Sequence, residues 1–371
     1  MKARAAVLRE IPGSFEVVDV EVDDPKENEV LVRYVASGLC GSDLHLLTGS
    51  APSPVPFAGG HEGAGVVEKV GPGVTRLAPG DHVVASFVPS CGRCRYCASA
   101  RSNLCQMGAY LQKGPMLDGT YRMHLDGEGL YQFLMLSTFA EHAVVSEASL
   151  VKIPKDVPLE VMCLLGCGVG TGFGSATSAA DVRPGDNVMV LGAGGVGMNA
   201  VQGAALAGAA TVVVVDPVAF KRETALTFGA THTYETLAEA ADFVRSITDG
   251  QGADAAILTM GEPTNKDVAD AFWAISKGGT LVLTGMASIH EAPGIPIHLL
   301  MLASYQKTIR GSLFGMCNPQ TDVLRQIDLY RSGKLKLDEL ITRRYTLDDI
   351  GSAVTDLVEG RNIRGVIVHD H

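Results

Sequence analysis

Aromatic side chains are scarce in this chain, at 6% of 371 residues with a single tryptophan. Positive charge is also short: 30 Lys and Arg against 41 Asp and Glu leave a net charge of −11. That balance argues against nucleic acid or an anionic membrane as the main partner, because both recruit cationic surfaces. No apolar run approaches the ~20 residues of a membrane span. Met1–Arg9 holds no apolar segment long enough for a secretory signal. A cytoplasmic location is expected, and there clustered thiols favour metal over disulfides. Internal repeats, low-complexity tracts and long charge runs are absent too, so a solenoid or a disordered tail is not indicated.

What is present is glycine, 43 residues of it, in a chain that is 46% apolar. Richness in Gly, Ala and Val fits a parallel α/β core with tight turns, and the length suggests two domains. The first third alternates like half-buried strands, as in Glu29–Val35 and Ala64–Val70, with turns at Gly71-Pro72-Gly73 and Ala78–Asp81. This region reads as mostly antiparallel β. Near residue 168 the pattern changes. Strands at 188–191, 211–216, 255–258 and 280–283 alternate with helices near 218–228, 236–248 and 264–276, which predicts βαβ units and a parallel sheet. After about residue 311 the alternation fades. The expected division is a β-rich catalytic domain over 1–168 and 312–371, with a doubly wound, Rossmann-type domain over 169–311.

Eight cysteines divide into two problems. Cys91, Cys94, Cys97 and Cys105 fall within fifteen residues at spacing C-x2-C-x2-C-x7-C. Four thiols this close can converge tetrahedrally on one zinc ion, closing a structural site with no open position. Cys40, Cys163, Cys167 and Cys317 remain for any second, catalytic metal.

Gly192-Ala193-Gly194-Gly195-Val196-Gly197 satisfies G-x-G-x-x-G. The run follows an apolar strand, opens a helix and precedes Asp216 by nineteen residues. Its glycines permit a tight turn and close approach of a pyrophosphate to the helix N-terminus. The Asp216 carboxylate can hold both ribose hydroxyls and would repel a 2′-phosphate, favouring NAD over NADP.

Gly38-Leu39-Cys40-Gly41-Ser42-Asp43-Leu44-His45, Gly60-His61-Glu62 and Cys167 offer two thiols and an imidazole, the donor set of catalytic zinc in alcohol oxidation. Spacing alone does not join three positions so far apart. Together with the four-cysteine loop, Ser137-Thr138-Phe139, the Gly192–Gly197 turn and Asp216, however, these segments resemble the zinc-containing alcohol dehydrogenases of the medium-chain dehydrogenase/reductase family over nearly the whole chain. The resemblance implies a GroES-like catalytic domain, two zinc ions per chain and NAD. It implies Cys40, His61 and Cys167 as catalytic zinc ligands, Glu62 close to the metal and Asp43 orienting His61. Ser42 and His45 match the family's proton relay, Lys221 a support for the adenosine ribose, and Arg364 a pyrophosphate contact. Phe87, Leu104, Phe133, Leu134, Met286 and Leu313 would line the alcohol pocket. All six are apolar, which points to medium or aromatic primary alcohols.

Two departures matter. Gly41 stands where many relatives carry Arg or His on the cofactor phosphates. Ala109 stands where the glutathione-dependent formaldehyde branch carries Arg, which disfavours oxidation of a thiol adduct. The segment from Gly108 to Leu136 resembles the longer loop of branches that tend to be dimers. Resemblance to an actinobacterial group keeps open a retained nicotinamide serving another electron acceptor. A catalytically idle protein binding nucleotide and zinc is the reading from another class. Cys163 is expected to pack in the core, Cys317 and Trp273 carry no pattern, and His369 and His371 are expected as surface charge or without function.

Overall fold

One ladder register explains how distant donors meet. In the computed structural model, which describes residues 1–371, strand Glu29–Leu39 pairs antiparallel with Glu62–Val70, setting Gly38 opposite Glu62 and Ala36 opposite Ala64. The next residue after the first strand is Cys40, and the residue before the second is His61. Antiparallel pairing therefore puts these two side by side despite 21 positions of sequence. Strand Arg364–Val368 pairs antiparallel on the other side of Glu29–Leu39, with Gly365 opposite Leu39, which brings Arg364 to the same end.

These strands belong to a seven-stranded sheet that also contains His82–Ala85, Leu150–Ile153, His142–Ser146 and Ile341–Tyr345. A second, six-stranded sheet is built on Lys2–Leu8 and Glu16–Val22. Their alternating Val, Ala and Leu residues, among them Val30, Val32, Val67, Val83 and Val144, share one buried core. Each Val or Leu side chain withdrawn from water contributes ~1.5–3 kcal/mol. The unit they form comprises Met1–Cys167, Asn318–Asp328 and Leu337–His371.

The other unit comprises Gly168–Cys317 and Leu329–Lys336. Residues 312–317 and 329–336, expected with the first unit, lie in this one. Its sheet runs His232–Tyr234, Thr211–Val215, Asn187–Leu191, Ala253–Leu258, Ile275–Leu283, Thr308–Gly311 in space, every pair parallel. This is the 3-2-1-4-5-6 order of a Rossmann sheet. The Val212–Val214 run is buried throughout, as strands covered on both faces require.

Helices Leu237–Ile247 and Asn265–Ala274 start at Thr236 and Thr264, each in a reciprocal capping box with Glu239 or Asp267. The helix expected over 264–276 stops at Ala274 because Ile275 is taken into the sheet opposite Ala253. Lys307, 8% exposed, donates its ammonium protons to Phe272 O and Ile275 O at 2.8 Å, satisfying carbonyls freed at that helix end. No single helix is long and apolar enough to cross a membrane.

Candidate metal centres and dinucleotide site

Four side chains converge at the end of the long ladder: the donor atoms of Cys40, His61, Glu62 and Cys167 all lie within 4.8 Å of one another, and all four residues are buried. Cys167 arrives by close packing rather than by register. A Cβ on Gly166 would sit 2.4 Å from Ala85 O and 3.3 Å from the Glu62 Cα, so only glycine lets the preceding turn, Cys163–Gly166, rest on the Glu62 backbone. Cys163, on that turn, is fully buried, as core packing requires.

Asp43, in the first turn of helix Gly41–Thr48, is wholly buried. Its Oδ1 lies 3.1 Å from His61 Nδ1, and its Oδ2 accepts from Cys40 N at 3.0 Å. A carboxylate accepts, so His61 carries its proton on Nδ1 and turns the Nε2 lone pair toward the thiols. That Nε2 is buried and has no hydrogen-bond partner in the protein. Two thiols, an unpartnered imidazole nitrogen and a nearby carboxylate suit a tetrahedral zinc ion.

The electrostatics point the same way. The hydrogen bond from Cys167, with His61 and Arg364 nearby, draws the Cys40 thiol well below its usual value. The same contact drives Cys167 up. Burial opposes a charged His61, but Asp43 outweighs it and lifts the imidazole well above its ordinary value. Protons held in common by such a cluster are released when a divalent cation takes their place. Burial raises the Glu62 carboxyl to about 7 against the pull of Arg364.

Arg364, expected on a pyrophosphate, pairs with Glu62 and is 4% exposed. Gly38 makes room for that pair: a Cβ there would fall 2.3 Å from Glu62 Oε2 and 2.9 Å from Arg364 Nη2.

Ser42 Oγ lies 3.9 Å from Cys40 Sγ. His45 follows three positions later on the same helix, and is 5% exposed rather than open to solvent. Of the expected pocket residues, Phe87 and Phe133 stand edge-on to the His61 ring, with centroids at 6.0 and 5.6 Å. Leu134 follows in a run of left-handed backbone (Leu134, Met135 and Ser137 at φ 52, 56 and 49). Each costs of order 1–3 kcal/mol, and such strain collects at functional sites. Ser137 Oγ ties the run down, accepting from Phe133 N at 3.1 Å and donating to Ala58 O at 2.8 Å. Nothing in the sequence signalled this run, because no glycine or asparagine marks it. Leu104 is 41% exposed on the cysteine loop, and Met286 and Leu313 belong to the second unit.

Cys91, Cys94, Cys97 and Cys105 also bring their sulfurs within 4.8 Å of one another. Cys91–Cys97 and Cys94–Cys105 are each 3.9 Å apart, too long for a disulfide. The spacing suits a tetrahedron whose Zn–S bonds of ~2.3 Å set its edges at about 3.8 Å. Backbone N–H groups, that of Cys97 foremost, hold the Cys94 thiol down to about 6, whereas burial pushes Cys105 up to about 12.

Beside the parallel sheet, Gly192, Gly194 and Gly197 of the turn each answer a different need. Gly192 has φ 101, a Cβ on Gly197 would strike Gly192 O at 1.8 Å, and Gly194 has nothing within 4 Å of its Cβ position. That open side is where a pyrophosphate can approach the N-terminus of helix Gly195–Leu206, which begins with Gly195-Val196. Asp216, 6% exposed, accepts from Ala193 N at 2.7 Å and Val218 N at 2.9 Å, so its carboxylate faces the turn. Lys221 lies in the first turn of the following helix, Ala219–Thr227. Arg222, which sequence reasoning passed over, donates to Asp216 O at 2.7 Å and Pro217 O at 2.9 Å.

Comparison with known proteins decides the family. Residues 26–155 match the family described as alcohol dehydrogenase GroES-like domain, and residues 195–330 that described as zinc-binding dehydrogenase. The chain belongs to the zinc-containing alcohol dehydrogenases. It is 52% identical to the NDMA-dependent alcohol dehydrogenase of Amycolatopsis methanolica over 100% of this chain and 99% of that one. Similarity to the S-(hydroxymethyl)glutathione dehydrogenase of Saccharomyces cerevisiae is lower, 38% over 100% and 97%. Among solved structures, benzyl alcohol dehydrogenase from Acinetobacter calcoaceticus superposes with a TM-score of 0.92 at 30% identity, covering both chains fully. This alcohol dehydrogenase thus matches both families; Cys40, His61 and Glu62 fall within the first match, and Cys167 lies between the two.

Proposed function

We propose that this alcohol dehydrogenase oxidises apolar or aromatic primary alcohols to aldehydes, and reduces them back, with one catalytic and one structural zinc and NAD. The observation that carries the reading is the meeting of Cys40, His61 and Cys167 with His61 Nε2 lacking any protein partner. The proposed domains are a catalytic one built on the β-rich unit and a dinucleotide-binding one built on the parallel sheet.

When bound, zinc would supply Lewis acidity toward the alcohol oxygen, and NAD a hydride acceptor. Cys40, Cys167 and His61 would hold that zinc as three protein donors, the set of a catalytic rather than a closed structural site. Asp43 holds His61 in the tautomer that ligates. Ser42 takes the alcohol proton and His45 carries it onward. Phe87 and Phe133 flank His61 with apolar rings, exclude water and favour an apolar substrate. Leu104 and Leu134, in the same unit, belong to that pocket in this reading. Gly192, Gly194 and Gly197 admit the pyrophosphate, Asp216 accepts from the ribose hydroxyls, and Lys221 supports them.

Benzyl alcohol is the first substrate to try, since a benzyl alcohol dehydrogenase shares the fold over its full length. Similarity to an NDMA-dependent enzyme supports a second reading, in which NAD is retained and electrons leave to another acceptor. Thiol-adduct oxidation is less favoured, on Ala109 and the lower identity to the glutathione-linked relative. Eight unbridged cysteines suit the reducing cytoplasm. A homodimer is the proposed assembly. Strand Thr308–Gly311 ends its sheet, and on the helix before it Leu299 and Leu300 are 74% and 58% exposed. No nucleic acid or membrane partner is proposed.

The test is benzyl alcohol turnover by purified enzyme with NAD, and with NDMA but no added NAD, beside zinc analysis. About two zinc per chain and NAD-linked turnover support the main reading. Turnover with NDMA alone selects the second. One zinc and no turnover with either acceptor would sink both.

A further inference from the structure

The last strand of the chain reaches the metal-binding segment at two places. At its start Arg364 pairs with the Glu62 carboxylate. Just past its end lies His369, expected as surface charge or without function, and it is only 5% exposed. His369 N donates to Val35 O at 3.0 Å, and His369 Nε2 lies 3.0 Å from Thr138 O. A carbonyl only accepts, so His369 carries its proton on Nε2. Its Nδ1 is buried without a partner. Two residues on, His371 Nε2 meets Tyr34 O at 2.5 Å in the same way.

Thr138 sits directly behind the metal ligands. Thr138 N donates to Gly60 O at 3.1 Å, and Phe139 N to Gly59 O at 3.0 Å, on the residues leading into His61. Ser37 Oγ donates to Glu62 O at 2.8 Å, so the contact of 2.6 Å between Ser37 Oγ and Thr138 Oγ1 takes its proton from the threonine. Both hydroxyl residues are wholly buried. His369 is therefore linked to Glu62 O through Thr138, whose carbonyl it meets and whose hydroxyl donates to Ser37. This linkage grips the backbone on both sides of His61, whereas Asp43 grips only its ring. His369, Thr138 and Ser37 are not among the residues whose donor atoms converge, so their effect on a metal has to pass through the position of His61 and Glu62.

We infer that His369 is a positioning residue for the metal site, holding the His61–Glu62 backbone in place through Thr138 and Ser37. The inference rests on the proposed zinc role of Cys40, His61 and Cys167.

The experiment follows zinc released to a colorimetric chelator at pH 7 from zinc-loaded, full-length enzyme. Cys167→Ser identifies the catalytic-site phase by its absence; a Cys167→Ser enzyme with unchanged zinc would sink the metal reading itself. With that phase assigned, His369→Ala should release it about 10-fold faster, the lower end of the effect of groups that support ligands. His369→Gln, which keeps a neutral N–H donor at the Nε2 position, should restore the wild-type rate to within about 2-fold. Ser37→Ala, a milder change that leaves the strand intact, should speed release about 5-fold through loss of its two buried hydrogen bonds, to Glu62 O and from Thr138 Oγ1. The loop-zinc phase should not move. Equal release from His369→Ala and wild type overturns the inference, as does equal acceleration in the Ala and Gln variants, which would make His369 a filler of space. Should His369→Ala fail to fold, an unchanged rate in Ser37→Ala overturns it alone.

Discussion

Asp43 serves two of the three proposed ligands with one carboxylate: Oδ1 lies 3.1 Å from His61 Nδ1 and Oδ2 accepts from Cys40 N at 3.0 Å. The side chain is wholly buried, so its charge acts on the imidazole with little screening. Asp43→Asn keeps the size and one accepting oxygen, but removes the charge. The amide also brings N–H donors that cannot face the Nδ1 proton of His61. The expected outcome is a 10- to 100-fold loss of zinc affinity at this site, about the range for groups that orient ligands. Competition with a chelator of known affinity measures it. Unchanged affinity would make Asp43 a helix-capping residue only.

The two cysteine clusters should separate cleanly on mutation. Cys167→Ser removes a donor at the buried cluster, and is expected to abolish turnover and about one zinc equivalent while the fold survives. Cys94→Ser, in the loop, is expected to lower the melting temperature first, because a closed four-sulfur site contributes folding energy and no chemistry. Metal analysis, alcohol turnover and thermal melts on both variants check the pair. The opposite order of effects would exchange the roles of the two sites.

Much of this was legible in the sequence because the signals were local. The four-cysteine spacing, the Gly192–Gly197 turn and the strand–helix alternation each lie within a few tens of residues, and each is found where expected. The ligand triad was not legible from spacing; it depended on resemblance. The physical link is the register that sets Gly38 opposite Glu62, and a register is a property of two strands together. The contacts of Arg364 with Glu62 and of His369 with Thr138 were hidden for the same reason. A terminal strand reads as ordinary until its neighbour is known, and here the neighbour is Glu29–Leu39. The helix end at Ala274 was overrun because Ile275-Ser276 suits either state until the sheet claims it.

Asp216 is expected to select the cofactor. Its carboxylate already accepts from Ala193 N and Val218 N, so it is fixed at the turn before any ribose arrives. Asp216→Gly removes the repulsion of a 2′-phosphate and leaves Arg222 close by, bonded to the backbone at 216 and 217. Losing charged hydrogen bonds to the ribose should weaken NAD by about 10-fold or more, since each is worth ~1.5–3 kcal/mol. The ratio of kcat/KM for NADP over NAD should rise by at least that factor. The same change frees two backbone donors, so a fall of a few degrees in melting temperature is expected as well. A ratio that stays put would assign the selection to another group.

Stability should fall in acid through His369. Burial, and to a lesser extent the neighbouring His371 and His142, pushes the His369 imidazole down to about 4 against the hydrogen bond to Thr138 O. Between that value and the ordinary one near 6.5, the unfolded chain binds a proton that the folded chain refuses. The contribution is therefore complete above about pH 6.5, declines as pH falls, and is exhausted by about pH 4, a span worth about 3 kcal/mol. The partnerless Nδ1 explains the resistance, since a second proton there meets no acceptor. His369→Gln cannot titrate and keeps the donor to Thr138, so its melting temperature should fall less steeply than wild type from pH 7 to pH 4.5. The comparison cancels the protonation of the zinc ligands, which both proteins share. Parallel curves would mean that His369 charges without penalty, and that its burial is not sustained in solution.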